Sequence, residues 1–164
     1  MADSLPEVDA LIEQLAAAIR PQLGAGTALV GIHSGGVWIA ERLHALLGVT
    51  VPLGMLNITH YRDDFSRIGL HPQVNPSRIP FEVDGREIIL IDDVLYTGRT
   101  VRAAMHELFD YGRPAAIRLA VLVDRGGHEL PIRADFIGAA IELPFGQNLT
   151  LSQQDDGSLI MTRA

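Results

Sequence analysis

Four aliphatic residues, Ile88, Ile89, Leu90 and Ile91, run without polar interruption into Asp92 and Asp93 and then into Val94-Leu95-Tyr96-Thr97-Gly98-Arg99-Thr100. No stretch constrains the fold more. An aliphatic run without alternation marks a central parallel strand covered on both faces, and Val101 to Tyr111 behind the turn reads as a helix. Strand, loop and helix in that order make one unit of an open α/β sheet, and such sheets bind ligands outside the carboxyl ends of their strands. The acids are therefore expected in a ligand-binding loop just past the strand.

The turn after the acids is built for a phosphate. Gly98 lets the backbone turn tightly, Thr97 and Thr100 bring hydroxyls, and the helix behind them aims unpaired N–H groups and its positive dipole end into the loop. It is not a Walker P-loop, because no Gly-x-x-x-x-Gly-Lys-[Ser/Thr] occurs and the chain has no lysine. Adjacent carboxylates repel a bare phosphate but accept hydrogen bonds strongly from hydroxyls. A ribose 5-phosphate satisfies both demands. A buried strand ending in Asp-Asp also occurs in receiver-type signalling domains, where paired acids bind magnesium, although there the pair ends the first strand.

The segment Ile88 to Thr100 resembles the phosphoribosyl diphosphate (PRPP) motif of type I phosphoribosyltransferases. Further similarity lies in Ile58-Thr59-His60-Tyr61-Arg62-Asp63-Asp64, in Gly112-Arg113-Pro114, and in Leu122-Val123-Asp124-Arg125-Gly126 through Leu130-Pro131-Ile132-Arg133-Ala134-Asp135-Phe136-Ile137-Gly138. These resemble one branch, the PyrR family of pyrimidine-operon attenuators and uracil phosphoribosyltransferases. The resemblance implies a Rossmann-like α/β fold: a central, mainly parallel sheet flanked by helices, a flexible loop, a small hood and a C-terminal β-hairpin. It also implies transfer of ribosyl 5-phosphate from PRPP to uracil, giving UMP and diphosphate.

Roles carried over by resemblance follow the motifs. Ser34 and Gly35 would face the diphosphate, and Asp92, Asp93, Val94, Leu95, Tyr96, Thr97, Gly98, Arg99 and Thr100 would bind PRPP, with Asp92 and Asp93 on the ribose. Arg62 would act with the two acids in catalysis. Uracil would be read by backbone groups near Val123, Asp124 and Arg125 and by an apolar contact from Ile137. The cofactor is Mg2+ held mainly by PRPP, and Asp63 and Asp64 either help hold it or pair with nearby arginines.

At 164 residues the chain is most economically one domain, 1–164. The absence of cysteine excludes a disulfide framework, a Cys-based zinc site and a thiol nucleophile. With no basic region followed by an apolar run near the start, and no long apolar segment, the expectation is a soluble cytoplasmic protein without membrane contact. Net charge is −7, which argues against broad nucleic-acid binding, although arginines can still cluster on one face.

In chain order, Ser4-Leu5-Pro6-Glu7 has capping-box spacing ahead of a helix over Val8, Leu11, Ile12, Leu15 and Ile19 that Pro21 stops. Thr27 to Ile32 reads as the first strand. The turn Gly31-Ile32-His33-Ser34-Gly35-Gly36 leads into a helix from Val37 to Leu47, closed by Gly48. Leu53 to His60 reads as a strand, and Tyr61 to Pro80, rich in proline and without periodicity, is functional or mobile. By resemblance it holds the loop that folds over substrate. Ala116 to Val123 and Ala134 to Gly138 read as strands around the loop 124–131. Asn148 to Met161, with Asp156-Gly157 as its turn, reads as a hairpin whose exposed edge suits contacts in a homodimer or higher homo-oligomer.

Two departures from the family stand out. Its Thr-Arg-Gly in the diphosphate loop is here Ser34-Gly35-Gly36, which removes a guanidinium fork; His33 replaces its charge only if protonated. After Asp-Arg-Gly the family commonly has His-Arg, and a lysine after the later Ile-Gly, whereas this chain has Gly127-His128 and Ala139. Arg133 remains. Fewer phosphate contacts predict binding to pyrimidine-leader RNA that is weaker than in the regulatory members, or through another surface. Two alternatives stay open: an RNA-binding regulator with vestigial catalysis, and a purine salvage phosphoribosyltransferase.

Overall fold

The computed structural model describes residues 4–58 and 76–164. Five parallel strands form the central sheet: β1 (Ala28–Ile32), β2 (Gly54–Leu56), β3 (Glu87–Leu95), β4 (Ala116–Asp124) and β5 (Phe136–Ala140), in the order β2-β1-β3-β4-β5. Alternation along β3 sorts its side chains between two cores. Ile89 and Ile91 pack with helices α1 (Val8–Ile19) and α2 (Gly35–Leu47), whereas Ile88 and Leu90 pack with Val101, Ala104 and Leu108 of helix α3 (Arg99–Leu108). Each fully buried Leu or Ile in these layers stabilises the fold by about 1.5–3 kcal/mol before entropy is counted. A separate antiparallel hairpin, β6 (Leu149–Gln153) and β7 (Leu159–Arg163), buries Leu149, Leu151, Leu159 and Met161 in the α1–α2 core. Ser158 closes its turn by donating from N–H and Oγ to Asp156 Oδ1.

Several boundaries differ from the sequence reading, each for a local reason. The capping box does not form: α1 starts at Val8 with Glu7 as its N-cap, extended at φ −66° and ψ 131°, and no side chain caps it. Pro6 disfavours helical backbone at Leu5, so the first turn cannot begin at Ser4. At the other end Pro21 lacks an N–H, and the helix tightens into a 3-10 turn over Arg20–Gln22. Strand β2 stops at Leu56 because Asn57 N–H donates to Ser77 Oγ, while Met55 exchanges two backbone bonds with Arg78; Thr59 and His60 lie outside the described residues. Strand β5 starts at Phe136 because Asp135 is a loop anchor, its N–H donating to Leu119 O and its carboxylate accepting from Leu119 N–H.

The consequential correction concerns the acids. They do not sit on a loop: β3 continues through Asp92 and Asp93 to Leu95. Its ladder with β1 ends at Gly31↔Ile91, but the ladder with β4 goes on through Asp92↔Val121, Val94↔Val123 and Leu95↔Asp124. The carboxylates thus project beyond the end of β1 while β4 holds their backbone rigid. Because the chain leaves β1 toward β2 on one side and β3 lies on the other, a crevice opens between them, the position at which open α/β sheets take their ligands.

Candidate functional site

Small residues at the β1–α2 turn bring the turn onto the acids. A Cβ at Gly35 would lie 2.4 Å from Asp93 Oδ2, one at Gly36 would lie 2.5 Å from Ile91 O, and one at Gly31 would lie 2.8 Å from Gly36 O. Only glycine permits this approach. The His33–Ser34 peptide bond is cis, Ser34 caps α2 without a side-chain bond, and its carbonyl accepts from Val37 and Trp38. The first amides of α2, those of Gly35 and Gly36, donate to no backbone carbonyl among the described residues. They open beside Asp93.

Asp92 is buried, and Asp93 is half-buried. Asp92 Oδ1 accepts from Asp93 N–H at 2.8 Å, and Asp93 Oδ1 accepts from Val94 N–H at 2.8 Å, which fixes the direction of each carboxylate and leaves Asp93 Oδ2 against Gly35. Beyond them Gly98, at φ +94°, turns the chain into α3, and Arg99 N–H donates to Thr97 Oγ1. The amides of Thr97, Gly98 and Thr100 donate to no backbone carbonyl among the described residues. Two helix N-termini therefore flank one pair of carboxylates, an arrangement that binds phosphate on either side of a polyhydroxylated group.

His33 does not replace the missing guanidinium. Burial lowers its pKa from 6.5, with Glu41 opposing, so the ring is neutral at pH 7. Arg99 points outward to Glu129 at 2.9 Å, a solvent-exposed pair of little energetic weight. Among the described residues no group of three or more His, Cys, Asp or Glu is placed to hold a metal. Two adjacent carboxylates without a closed protein cage nevertheless suit Mg2+, which is commonly bound by one or two carboxylates together with substrate phosphates.

At the next strand, Val123 is fully buried, and Asp124 accepts from Gly126 N–H at 2.9 Å and pairs with His128 Nε2 at 3.0 Å. The Arg125 N–H donates to Leu95 O, so the amides of Arg125 and Gly126 are both engaged already. Any backbone contact to a bound base here would fall to carbonyl oxygens and later amides. Ile137 is 41% exposed on β5 and shares a register level with Val121 and Asp92, which puts it about 10 Å from the acid across two strand spacings. A cleft of about 560 Å³ opens beside this loop, with Asp124, His128 and Arg133 on its wall. Arg62, Asp63 and Asp64 lie outside the described residues, as does most of the segment that resembles the substrate-covering loop.

The comparisons agree with this geometry. Residues 3–145 match the family model of the phosphoribosyl transferase domain. The bifunctional protein PyrR of Nitrosococcus oceani is 54% identical over 154 residues, covering 90% of this chain and 87% of that protein. Its counterpart in Pseudomonas fluorescens is 50% identical over 153 residues, covering 91% of each. Among solved structures, a purine phosphoribosyltransferase from Pyrococcus horikoshii superposes with a TM-score of 0.64 at 23% identity, covering 82% of each chain. A hypoxanthine-guanine phosphoribosyltransferase from Bacillus anthracis gives 0.67 at 18% identity, covering 88% of this chain and 86% of that one. At such identities the likeness speaks to fold alone. Fold, crevice and family match define a phosphoribosyltransferase of type I architecture. Within that class, the extended identity to the curated relatives shows that the chain belongs to the PyrR family.

Proposed function

We propose that the protein transfers the ribosyl 5-phosphate group of PRPP to N1 of uracil, releasing diphosphate and forming UMP. The observation that carries this reading is the contact of the β1–α2 turn with Asp93, which sets one helix N-terminus on each side of the paired acids. The amides of Thr97, Gly98 and Thr100 anchor the 5-phosphate. Asp92 and Asp93 accept hydrogen bonds from the ribose hydroxyls and lay negative charge beneath the anomeric carbon as it becomes cationic. The amides of Gly35 and Gly36 receive the departing diphosphate. Mg2+, when bound, would neutralise charge on that leaving group; it would be held mainly by PRPP, with Asp92 and Asp93 the described acids beside the crevice and Asp63 and Asp64 candidates outside the described residues. Uracil approaches from the Val123–Arg125 side, where Asp124 stands in register with Leu95. Positioning and electrostatics account for the rate, and no covalent nucleophile takes part.

Asp93→Asn tests the assignment. It keeps the shape of the side chain and removes its charge, so UMP formation in the presence of Mg2+ collapses while the fold survives. A rate within about threefold of the parent, under ~1 kcal/mol of transition-state stabilisation, excludes the role given to Asp93. Running the same assay with uracil, hypoxanthine and guanine separates a pyrimidine enzyme from a purine one.

A regulatory activity on leader RNA is the second reading, favoured by the bifunctional names of the relatives. It is the weaker activity here: net charge is −7, His128 is tied to Asp124, and Ala139 stands on β5 where the family commonly has a lysine.

A further inference from the structure

The Arg125 side chain turns toward the phosphate loop. Its guanidinium carbon lies 3.9 Å from the centroid of the Tyr96 ring, a stacking distance, and Tyr96 is the residue at which β3 gives way to the loop. The far edge of the guanidinium is tethered: Nη1 donates to Asn148 Oδ1 at 3.1 Å and Nη2 to Gln147 O at 3.0 Å, both at the entry to the C-terminal hairpin. Nε is buried with no hydrogen-bond partner among the described residues. On its other flank the ring meets Gly127, where a Cβ would stand 2.6 Å from Tyr96 Cε1. Tyr96, 47% exposed, is thus touched by the Arg125 guanidinium and, along its Cδ1–Cε1 edge, by Gly127.

The backbone repeats the same linkage. Leu95 O accepts from Arg125 N–H at 3.0 Å, and Thr97 O accepts from Glu129 N–H at 2.9 Å and Leu130 N–H at 3.3 Å. Among the described residues three backbone bonds thus tie Leu95 and Thr97 to the 125–130 segment, and the Arg125 side chain extends that tie to the hairpin.

We propose that Arg125 is a positioning residue for PRPP: by clamping Tyr96 against the Gln147–Asn148 edge it fixes the loop whose amides hold the 5-phosphate, and its side chain takes no part in reading the base. This rests on the phosphoribosyl-transfer reading above. The 5-phosphate is bound equally in ground and transition states, so loss of the clamp falls on KM for PRPP rather than on kcat.

The test measures PRPP affinity by calorimetry with Mg2+ present, alongside initial velocities against PRPP and against uracil, for Arg125→Ala, Tyr96→Ala, the double variant and Arg125→Lys. The expected result is a rise of about tenfold in Kd and KM for PRPP in either single alanine variant. The double variant is expected to be no more than about twofold worse than either single, because the two changes remove one contact. Arg125→Lys recovers little, since an ammonium can neither lie flat on the ring nor donate to both acceptors at once. Multiplicative losses in the double variant, or a rise in KM for uracil with PRPP affinity unmoved, overturn the proposal. Should Arg125→Ala fail to fold by circular dichroism, Asn148→Ala removes a single acceptor, and unchanged PRPP affinity in that variant overturns it equally. Failure of the parent protein to form UMP refutes the transfer reading, and the calorimetric comparison still decides the role of Arg125.

Discussion

Replacing Gly35 by alanine sets helix propensity against the contact that assembles the site. Gly35 opens α2 with no positive φ, so alanine is intrinsically favoured there by about 0.5–1 kcal/mol. Against that, the new Cβ would stand 2.4 Å from Asp93 Oδ2, 2.8 Å from Cγ and 3.0 Å from Cβ, where ordinary contact starts at 3.4 Å. Rotating the carboxylate cannot clear all three atoms, so the turn and Asp93 must separate by about 1 Å, at an overpacking cost of roughly 1–3 kcal/mol. The two stability terms partly cancel and leave a net loss of about 2.5 kcal/mol or less. Catalysis has no such offset. A reacting group misplaced by about 1 Å costs on the order of a hundredfold, or ~2.7 kcal/mol in the barrier. The expected outcome is a folded protein with kcat/KM for UMP formation reduced about a hundredfold, measured beside a urea unfolding curve on the same sample. A folded Gly35→Ala variant whose kcat/KM stays within about threefold of the parent refutes the coupling of the β1–α2 turn to Asp93.

Three further outcomes are expected. Burial lowers the folded-state pKa of His33 below the 6.5 of the unfolded chain, so the stability owed to its neutral ring is fully present above pH 6.5 and is lost as pH falls through the folded value. His33→Gln removes that acid-side loss, and urea midpoints at pH 7.5 and pH 5 show whether the slope has flattened. Arg42 donates to Trp38 O and to Gly157 O in the hairpin turn, so Arg42→Ala lowers stability by about 1–2 kcal/mol with little change in PRPP affinity; an unchanged thermal midpoint counts against a load-sharing tie. Titration of a pyrimidine-leader hairpin at about 0.15 M salt with UMP present gives weak binding; specific nanomolar affinity, lost on Arg133→Ala and absent for a scrambled hairpin, overturns that expectation.

Much of this was legible before any coordinates. The uninterrupted run Ile88–Ile91 identified the central strand because a strand covered on both faces has no polar side to alternate with. The glycines at 31, 35 and 36 announced a tight turn, though not what pressed against it. That Gly35 meets Asp93 depends on two strands brought side by side from segments more than fifty residues apart, and no local pattern encodes such a pairing. In sequence, two charges look like the end of a strand and predict a loop; the ladder to β4, which carries the strand two residues past Asp93 to Leu95, is a tertiary fact. Arg125 was read through its backbone beside the base. Its side-chain partners, Tyr96 on one side and Gln147 and Asn148 on the other, lie some twenty to thirty residues away in both directions.

Helix α1 covers the far side of the sheet: Gly138 is so close to it that a Cβ there would come within 3.2 Å of Leu11 Cβ, and α1 packs on β4, β5 and β7. During synthesis this makes α1 wait for strands that follow it by more than a hundred residues. Leu11, Ile12, Leu15 and Ile19 leave the ribosome roughly 120 residues before Ala140 does. At typical elongation rates that is about 6 to 24 s with an apolar stripe lacking its cover. A nascent chain halted before β5 would leave the β4–β5 side of that stripe open, the kind of apolar surface that holding chaperones cover.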